Sequence, residues 1–200
     1  MLALVEGLKQ NRLDVFWDFL PASYQNDLNS LVHRFAERMD VELWNKSVDV
    51  LRKLARLLRE KKEFLAAARA SKDPEAPPGP SAAELAAIAE LLDTLLASDL
   101  ADLGKLKSAD GGQILAGTGS TLLGQLRSMG RDPFADRLGI VADLKVTLVS
   151  FAGDSAKLAI QVPDAPSSDR EFVRVEGKWI PKNLADNWYE TIGQANARLS

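Results

Sequence analysis

The stretch from Leu144 to Ile180, LKVTLVSFAGDSAKLAIQVPDAPSSDREFVRVEGKWI, limits what this chain can fold into more than any other. It alone carries the two-residue alternation of a sheet. Leu144, Val146 and Leu148 alternate with Lys145 and Thr147, and Ala156, Leu158, Ile160 and Val162 alternate after Gly153–Asp154. Alternation at period two puts one set of side chains on one face, and Gly-Asp favours a turn, so the two runs predict a hairpin. Pro163 and Pro166 end the second strand. Residues 171–175 predict a third, and Gly177 turns the chain into a short fourth over 178–180, stopped by Pro181. Connections this short allow only antiparallel neighbours. The face made by Leu144, Val146, Leu148, Leu158 and Ile160 needs a cover, and the expectation is that helices provide it.

The rest of the chain has the helical period. Leu2, Val5 and Leu8 open a stripe, and Asn11 is the expected cap of a short helix over 13–20 that Pro21 breaks. Tyr24, Leu28, Leu31, Val32, Phe35 and Met39 mark a helix over 22–39. Asp40 is the expected N-cap of the next, over 41–58, with Leu43, Trp44, Val48, Leu51, Leu54, Ala55 and Leu58 as its expected buried stripe. Charged residues 59–63 read as a solvated face or a break before a continuation over 64–70. Residues 71–80 hold four prolines and a glycine and predict a loop. Ser81 and Glu84 form a capping-box pattern before an Ala/Leu-rich helix ending near 97. Ser98 is the expected cap of a short helix through 103–106. The glycine-rich run 112–129 predicts a helix with a small-residue face, ended by Gly130 and Pro133. Leu184, Trp188, Ile192 and Ala195 place an amphipathic helix at the C-terminus.

The predicted fold class is therefore α+β. A mostly helical N-terminal part of five to eight helices packs on a three- to four-stranded antiparallel meander, followed by a C-terminal helix. The segments are 1–70 helical, 71–80 loop, 81–130 helical, 143–181 meander and 182–200 helix, forming one or two co-packed domains.

Several chemistries are excluded. The chain has no cysteine and one histidine, so disulfides, thiolate nucleophiles, zinc ribbons and sites with several histidine ligands from one chain are impossible. The net charge of −3 argues against a broad nucleic-acid surface. No apolar run is long enough for an integral membrane segment. The opening MLALVEGLKQ lacks a basic leader region and starts inside a helical pattern. The expectation is an extracytoplasmic protein whose leader has been removed, with a cytoplasmic location as the alternative.

The candidate constellations each have a plain structural reading. Gly117-Thr-Gly119-Ser-Thr lacks the lysine of a phosphate loop and the third glycine of a dinucleotide fingerprint, so close helix contact is the expected role. Asp99 and Asp102 share a face near Asp110, and Asp99 is expected to serve a helix N-terminus rather than a metal. The Arg52, Arg56, Arg59 row is expected to be a solvated face. His33 has Asn29 and Glu37 one turn away, and a rim histidine paired with Glu37 is the expected arrangement; the alternative is a general base. The tryptophans and phenylalanines are expected in the core, with a ligand pocket as the alternative. No catalytic, metal or cofactor residue and no cofactor are assigned. His33, Trp44 and Trp179 are the candidate pocket residues.

Val146, Gly153–Asp154, Ala156, Leu158, Phe172 and Gly177-Lys-Trp-Ile180 together resemble the closing strands of the cystatin-like cone superfamily, which includes nuclear-transport-factor-like domains. The opening, with LPxSYQxD and a long helical pair, resembles uncharacterised bacterial exported proteins. The helical part is larger than that superfamily's, and a helix follows where such domains often end. The resemblance implies a site between helices and sheet and no shared catalytic residue. The expected function is a non-enzymatic bacterial binding or interaction domain with an unknown protein or small-molecule partner. The alternatives are a small cone-type enzyme or ligand-binding protein with a site between helices and sheet, and a helical oligomeric interaction protein.

Overall fold

The computed structural model describes residues 2–70, 79–135, 144–161 and 166–199. The chain is α+β, as its two periodicities dictate. The helices are α1 (Leu2–Lys9), α2 (Asp14–Asp18), α3 (Ala22–Arg38), α4 (Val41–Glu60), α5 (Lys62–Ala70), α6 (Ala82–Ala97), α7 (Leu103–Leu106), α8 (Gly111–Ile114) and α9 (Ser120–Ser128). A π turn over Leu115–Gly119 joins α8 to α9, so the glycine-rich run is one continuous helical rod. The strands follow as β1 (Lys145–Ala152), β2 (Ser155–Gln161), β3 (Ser168–Val175) and β4 (Lys178–Pro181), in the order β1-β2-β3-β4, all antiparallel. Helix α10 (Lys182–Arg198) ends the chain. The greater part of the proline-rich loop, and Val162 and Pro163 at the end of the second strand, lie outside the described residues.

Local signals explain most boundaries. Asp40 accepts from the Leu43 N–H at 2.7 Å, capping α4. Ser81 accepts from the Glu84 N–H at 3.2 Å while the Glu84 carboxylate takes the Ser81 N–H at 2.8 Å, closing the capping box. That backbone N–H, then the Ser81 hydroxyl, holds the Glu84 carboxyl below its usual range. Asn11 behaves otherwise than expected. It does not cap α2; with φ of 62° it lies in the left-handed region and ends α1, a position asparagine tolerates better than most residues. The helix after it is correspondingly shorter than 13–20. The break after α4 falls at Lys61 alone.

The small-residue face of the α8–α9 rod does take a close neighbour. A Cβ on Gly111 would lie 2.5 Å from Trp17 Cη2, and one on Gly112 would lie 2.8 Å from Trp17 Cδ1. Gly119 faces Leu13, whose N–H donates to the Ser120 hydroxyl at 3.1 Å. The α1–α2 corner thus seats on bare backbone. Gly111→Ala should cost about 1–3 kcal/mol by displacing the Trp17 ring. Gly117→Ala meets nothing within 4 Å and should be neutral or slightly stabilising. Urea unfolding of both variants separates the two outcomes.

Two buried clusters form the core around α3. Ala36, Leu103 and Leu106 join α3 to α7, with Val32, Met39, Trp44, Leu100 and Ala109 around them. Tyr24, Ile180 and Trp188 join α3, β4 and α10. Tyr24 and Trp188 stack with centroids 3.9 Å apart and planes 3° from parallel. Burial raises the Tyr24 phenol above its usual value.

Candidate functional site

The pairing register divides the sheet into two unlike faces. Val146 pairs with Ile160, Leu148 with Leu158 and Phe151 with Ala156, which pairs onward with Phe172; Arg174 pairs with Trp179. Directly paired residues share a face. The first face therefore carries Val146, Leu148, Phe151, Leu158, Ile160, Phe172 and Trp179, with Arg170 and Arg174 beside them on β3. A register shift between Leu148 and Ser150 keeps Phe151 on it, although 148 and 151 are an odd number apart. The second face carries Lys145, Thr147, Lys157, Asp169 and Glu171 over β1–β3, and Val175 and Ile180 where β3 meets β4. On it Lys157 meets Asp169 at 2.8 Å, which raises the lysine above its usual value.

The helices pack on the second face where β3 meets β4. Trp188, Ala185 and Ile192 of α10, with Tyr24 and Leu28 of α3, close over Ile180 and Val175. The Lys178 ammonium donates to the Asp18 carbonyl at 2.7 Å, and the Ser23 N–H donates to Glu176 at 3.1 Å. The Ser23 hydroxyl, then that N–H, holds the Glu176 carboxyl below its usual range. Glu176 and Gly177 both have positive φ, 48° and 79°, in the two-residue turn between β3 and β4.

The apolar first face is open. Val146 is 43% exposed, Leu148 59%, Phe151 62% and Trp179 38%. This corrects the expected cover over Val146 and Leu148, and with it the expected site between that face and the helices. The physical reason is that where β3 meets β4 both sides offer apolar residues, Phe172 and Trp179 on one and Val175 and Ile180 on the other. The large aromatic of α10 selects Ile180, one residue beyond Trp179, and so turns the other face outward. At the corner of the open face a cleft of about 560 Å³ lies between β3 and the start of α10, lined by Arg170, Phe172, Pro181 and Asn183 among others. At its rim Lys182 meets Asp186 at 2.5 Å.

The three pocket candidates do not come together. His33 is half-buried in the α3–α7 region, and its Nε2 donates to the Ala109 carbonyl at 2.8 Å, a backbone partner in place of the expected Glu37. Trp44 donates from Nε1 to the Ala101 carbonyl at 3.2 Å and meets Phe35 edge-on at 5.8 Å. Both brace the α7 junction. Trp179 stands alone on the sheet, with its ring 5.9 Å from Phe151. Asp99 stands in a first helical turn capped by Ser98, while Asp102 and Asp110 are themselves caps. Asp102 accepts from the N–H groups of Gly104 and Lys105, Asp110 accepts from Gln113 and from the Asn29 side chain, and Asp99 pairs with Lys105. Among the described residues no three acidic or histidine side chains gather in a way that could hold a metal ion, and no helix is long and apolar enough to cross a membrane. Alternation along β1 and β2 had marked the apolar face in the sequence. Phe151, its most exposed member, was hidden because its place depends on the bulge.

Comparison with known proteins gives no match: no family model fits the chain, and neither a curated protein nor a solved structure shows significant similarity to it.

Proposed function

We propose that this chain is a non-enzymatic interaction domain whose protein partner docks on the open apolar face of the sheet, in the bacterial, extracytoplasmic setting that the sequence resemblance implies. The observation that carries the reading is the row of Val146, Leu148, Phe151 and Trp179, each more than a third exposed on one face. An apolar patch of this kind is costly to leave in water and marks an interaction surface. Its shape favours a protein over a small molecule, since small-ligand sites are concave and enclosed. Aromatic residues concentrate binding energy at such surfaces, and Trp179 and Phe151 sit side by side.

A photo-crosslinking residue at Leu148 tests this in cells that make the protein, against the same residue at Lys157 on the polar opposite face. The expected result is a defined adduct from position 148 and none from 157, abolished by Trp179→Ala with the helical circular dichroism unchanged. Equal capture at both positions, or capture indifferent to Trp179→Ala, would overturn the reading.

A further inference from the structure

The free end of β3 is a strand edge that opens into a cleft. Residues 168–171 pair with β2, but β4 does not reach them, since its last pair is Pro181 with Phe172. Proline has no N–H to carry the ladder on, and the chain turns there into α10. One bond fixes which main-chain groups this leaves open. The Arg174 N–H donates to the carbonyl of Asp154, in the β1–β2 turn, at 2.8 Å. Main-chain groups alternate in side along an antiparallel strand. Those of Arg174, Phe172 and Arg170 therefore face β2, and those of Val173, Glu171 and Asp169 face the other way. Val173 meets Ile180 of β4 there. Asp169 meets no strand, and among the described residues neither its N–H nor its carbonyl has a partner. The cleft of about 560 Å³ between β3 and the start of α10 lies along this edge, and its lining includes Asp169, Arg170 and Glu171. Its volume is that of a ligand site.

We infer that this cleft takes an extended peptide segment of a partner protein, added antiparallel to β3 in the line that β4 leaves, with an acidic residue followed by a basic one. Strand addition is a general mode of peptide recognition, in which main-chain bonds hold the peptide and side chains select it. One residue opposite Asp169 exchanges both main-chain bonds with it. The charges at the edge set the sequence. Arg170 lies on the first face and has no ion pair among the described residues. On the second face Lys157 already meets Asp169 and Lys182 meets Asp186, which leaves Glu171 in excess. Paired residues share a face. An acidic residue opposite Arg170 therefore meets its guanidinium. A basic residue opposite Asp169 extends the row Lys157–Asp169 and lies diagonal to Glu171. In an antiparallel segment the residue opposite Arg170 comes first, so the order is acidic, then basic. The edge lies beside the apolar face and does not need that face occupied, so either proposal can fail alone.

Amide NMR of the whole chain, titrated with the peptide acetyl-Glu-Lys-Thr-Val-amide, tests the inference. Binding is expected with a Kd of about 0.1–1 mM, with the Asp169 amide protected from exchange in the complex. The charge-swapped peptide acetyl-Lys-Glu-Thr-Val-amide should bind about tenfold more weakly. Arg170→Glu should weaken the first peptide by a similar factor and bind acetyl-Lys-Lys-Thr-Val-amide in its place. Asp169→Pro removes an N–H that faces away from β2, a change edge strands tolerate, and should abolish binding with the circular dichroism unchanged. Asp169→Ala gives up the Lys157 ion pair but keeps the N–H, and should bind within about fivefold of wild type. No binding at about 10 mM peptide, equal affinity for the charge-swapped peptide, or binding that survives Asp169→Pro would overturn it. So would loss of binding in Trp179→Ala, which would assign the peptide to the apolar face.

Discussion

Replacing Trp188 with alanine should destabilise the chain by about 3–5 kcal/mol, the usual cost of removing a buried aromatic, and lower the thermal midpoint by about 10 °C for a domain of this size. Trp188 is only 7% exposed. Its ring stacks on Tyr24, its edge packs with Ile180, and its Nε1 donates to Asp27 at 2.8 Å. One side chain therefore joins α3, β4 and α10. Leu28, Ala185 and Ile192 add apolar contact around it, and the hydrogen bonds at Ser23–Glu176 and Lys178–Asp18 are exposed polar contacts worth little individually. The loss should be local in character. Hydrogen exchange should show β3, β4 and α10 losing protection while α4 and α6 keep most of theirs. Trp188→Phe separates packing from hydrogen bonding: it keeps the ring stack, leaves Asp27 without its donor and should cost about 1–2 kcal/mol. A uniform loss of protection across the chain would show that Trp188 is not the hinge between the two parts.

Arg127→Met should be the next most damaging change, at about 3 kcal/mol. Its guanidinium donates to the Leu8 carbonyl and to the Asn11 side-chain oxygen, both at 2.6 Å, and to Asp132 at 2.9 Å. The Leu8 carbonyl, in the last turn of α1, also takes the Asn11 N–H at 3.1 Å. Asn11, held in the left-handed region, presents its oxygen to the same group. The side chain is 18% exposed, so water cannot readily replace it. The methionine keeps the apolar stem and removes every guanidinium donor, leaving the Leu8 carbonyl to the Asn11 N–H, Asp132 to the Phe134 N–H and the Asn11 oxygen without its arginine. Arg127→Lys should recover part of the loss, since a single ammonium cannot reach the three groups with the geometry of a planar fork. Urea midpoints for the three proteins should rank wild type, lysine, methionine. A methionine variant within about 0.5 kcal/mol of wild type would mean that α1 is held by packing alone.

Much of the architecture was written in short-range pattern. Asp40, Ser81–Glu84, Gly153 and Gly177 each mark a boundary through a mechanism that acts within four residues, and the structure places a cap or a turn at each. The glycine run 111–124 was legible as a contact face because an absent Cβ has few other uses in a helix. What was not legible depended on distant partners. Asn11 can cap a helix start or end one in the left-handed region, and only the position of Arg127 decides between them. His33 has an acidic neighbour in sequence, but its partner is a carbonyl 76 residues away. Alternation named the members of each sheet face without saying which face meets the helices. In β3 and β4, Phe172 and Trp179 compete with Val175 and Ile180, and the choice falls to Trp188 from beyond the sheet. The bulge at Val149 added Phe151 to the open face against the simple count.

Thiol reactivity measures that choice directly, because every cysteine introduced into this chain is the only one. In the native state, Leu148→Cys and Phe151→Cys should react with a small maleimide within about tenfold of the rate in denaturant, since both side chains are more than half exposed. Ile180→Cys, at a site 3% exposed, should be slowed by orders of magnitude and should react only through opening of the α3–α10 contact. Protection of positions 148 and 151 equal to that of 180 would place a cover over the apolar face and contradict the account of this sheet as an open docking surface.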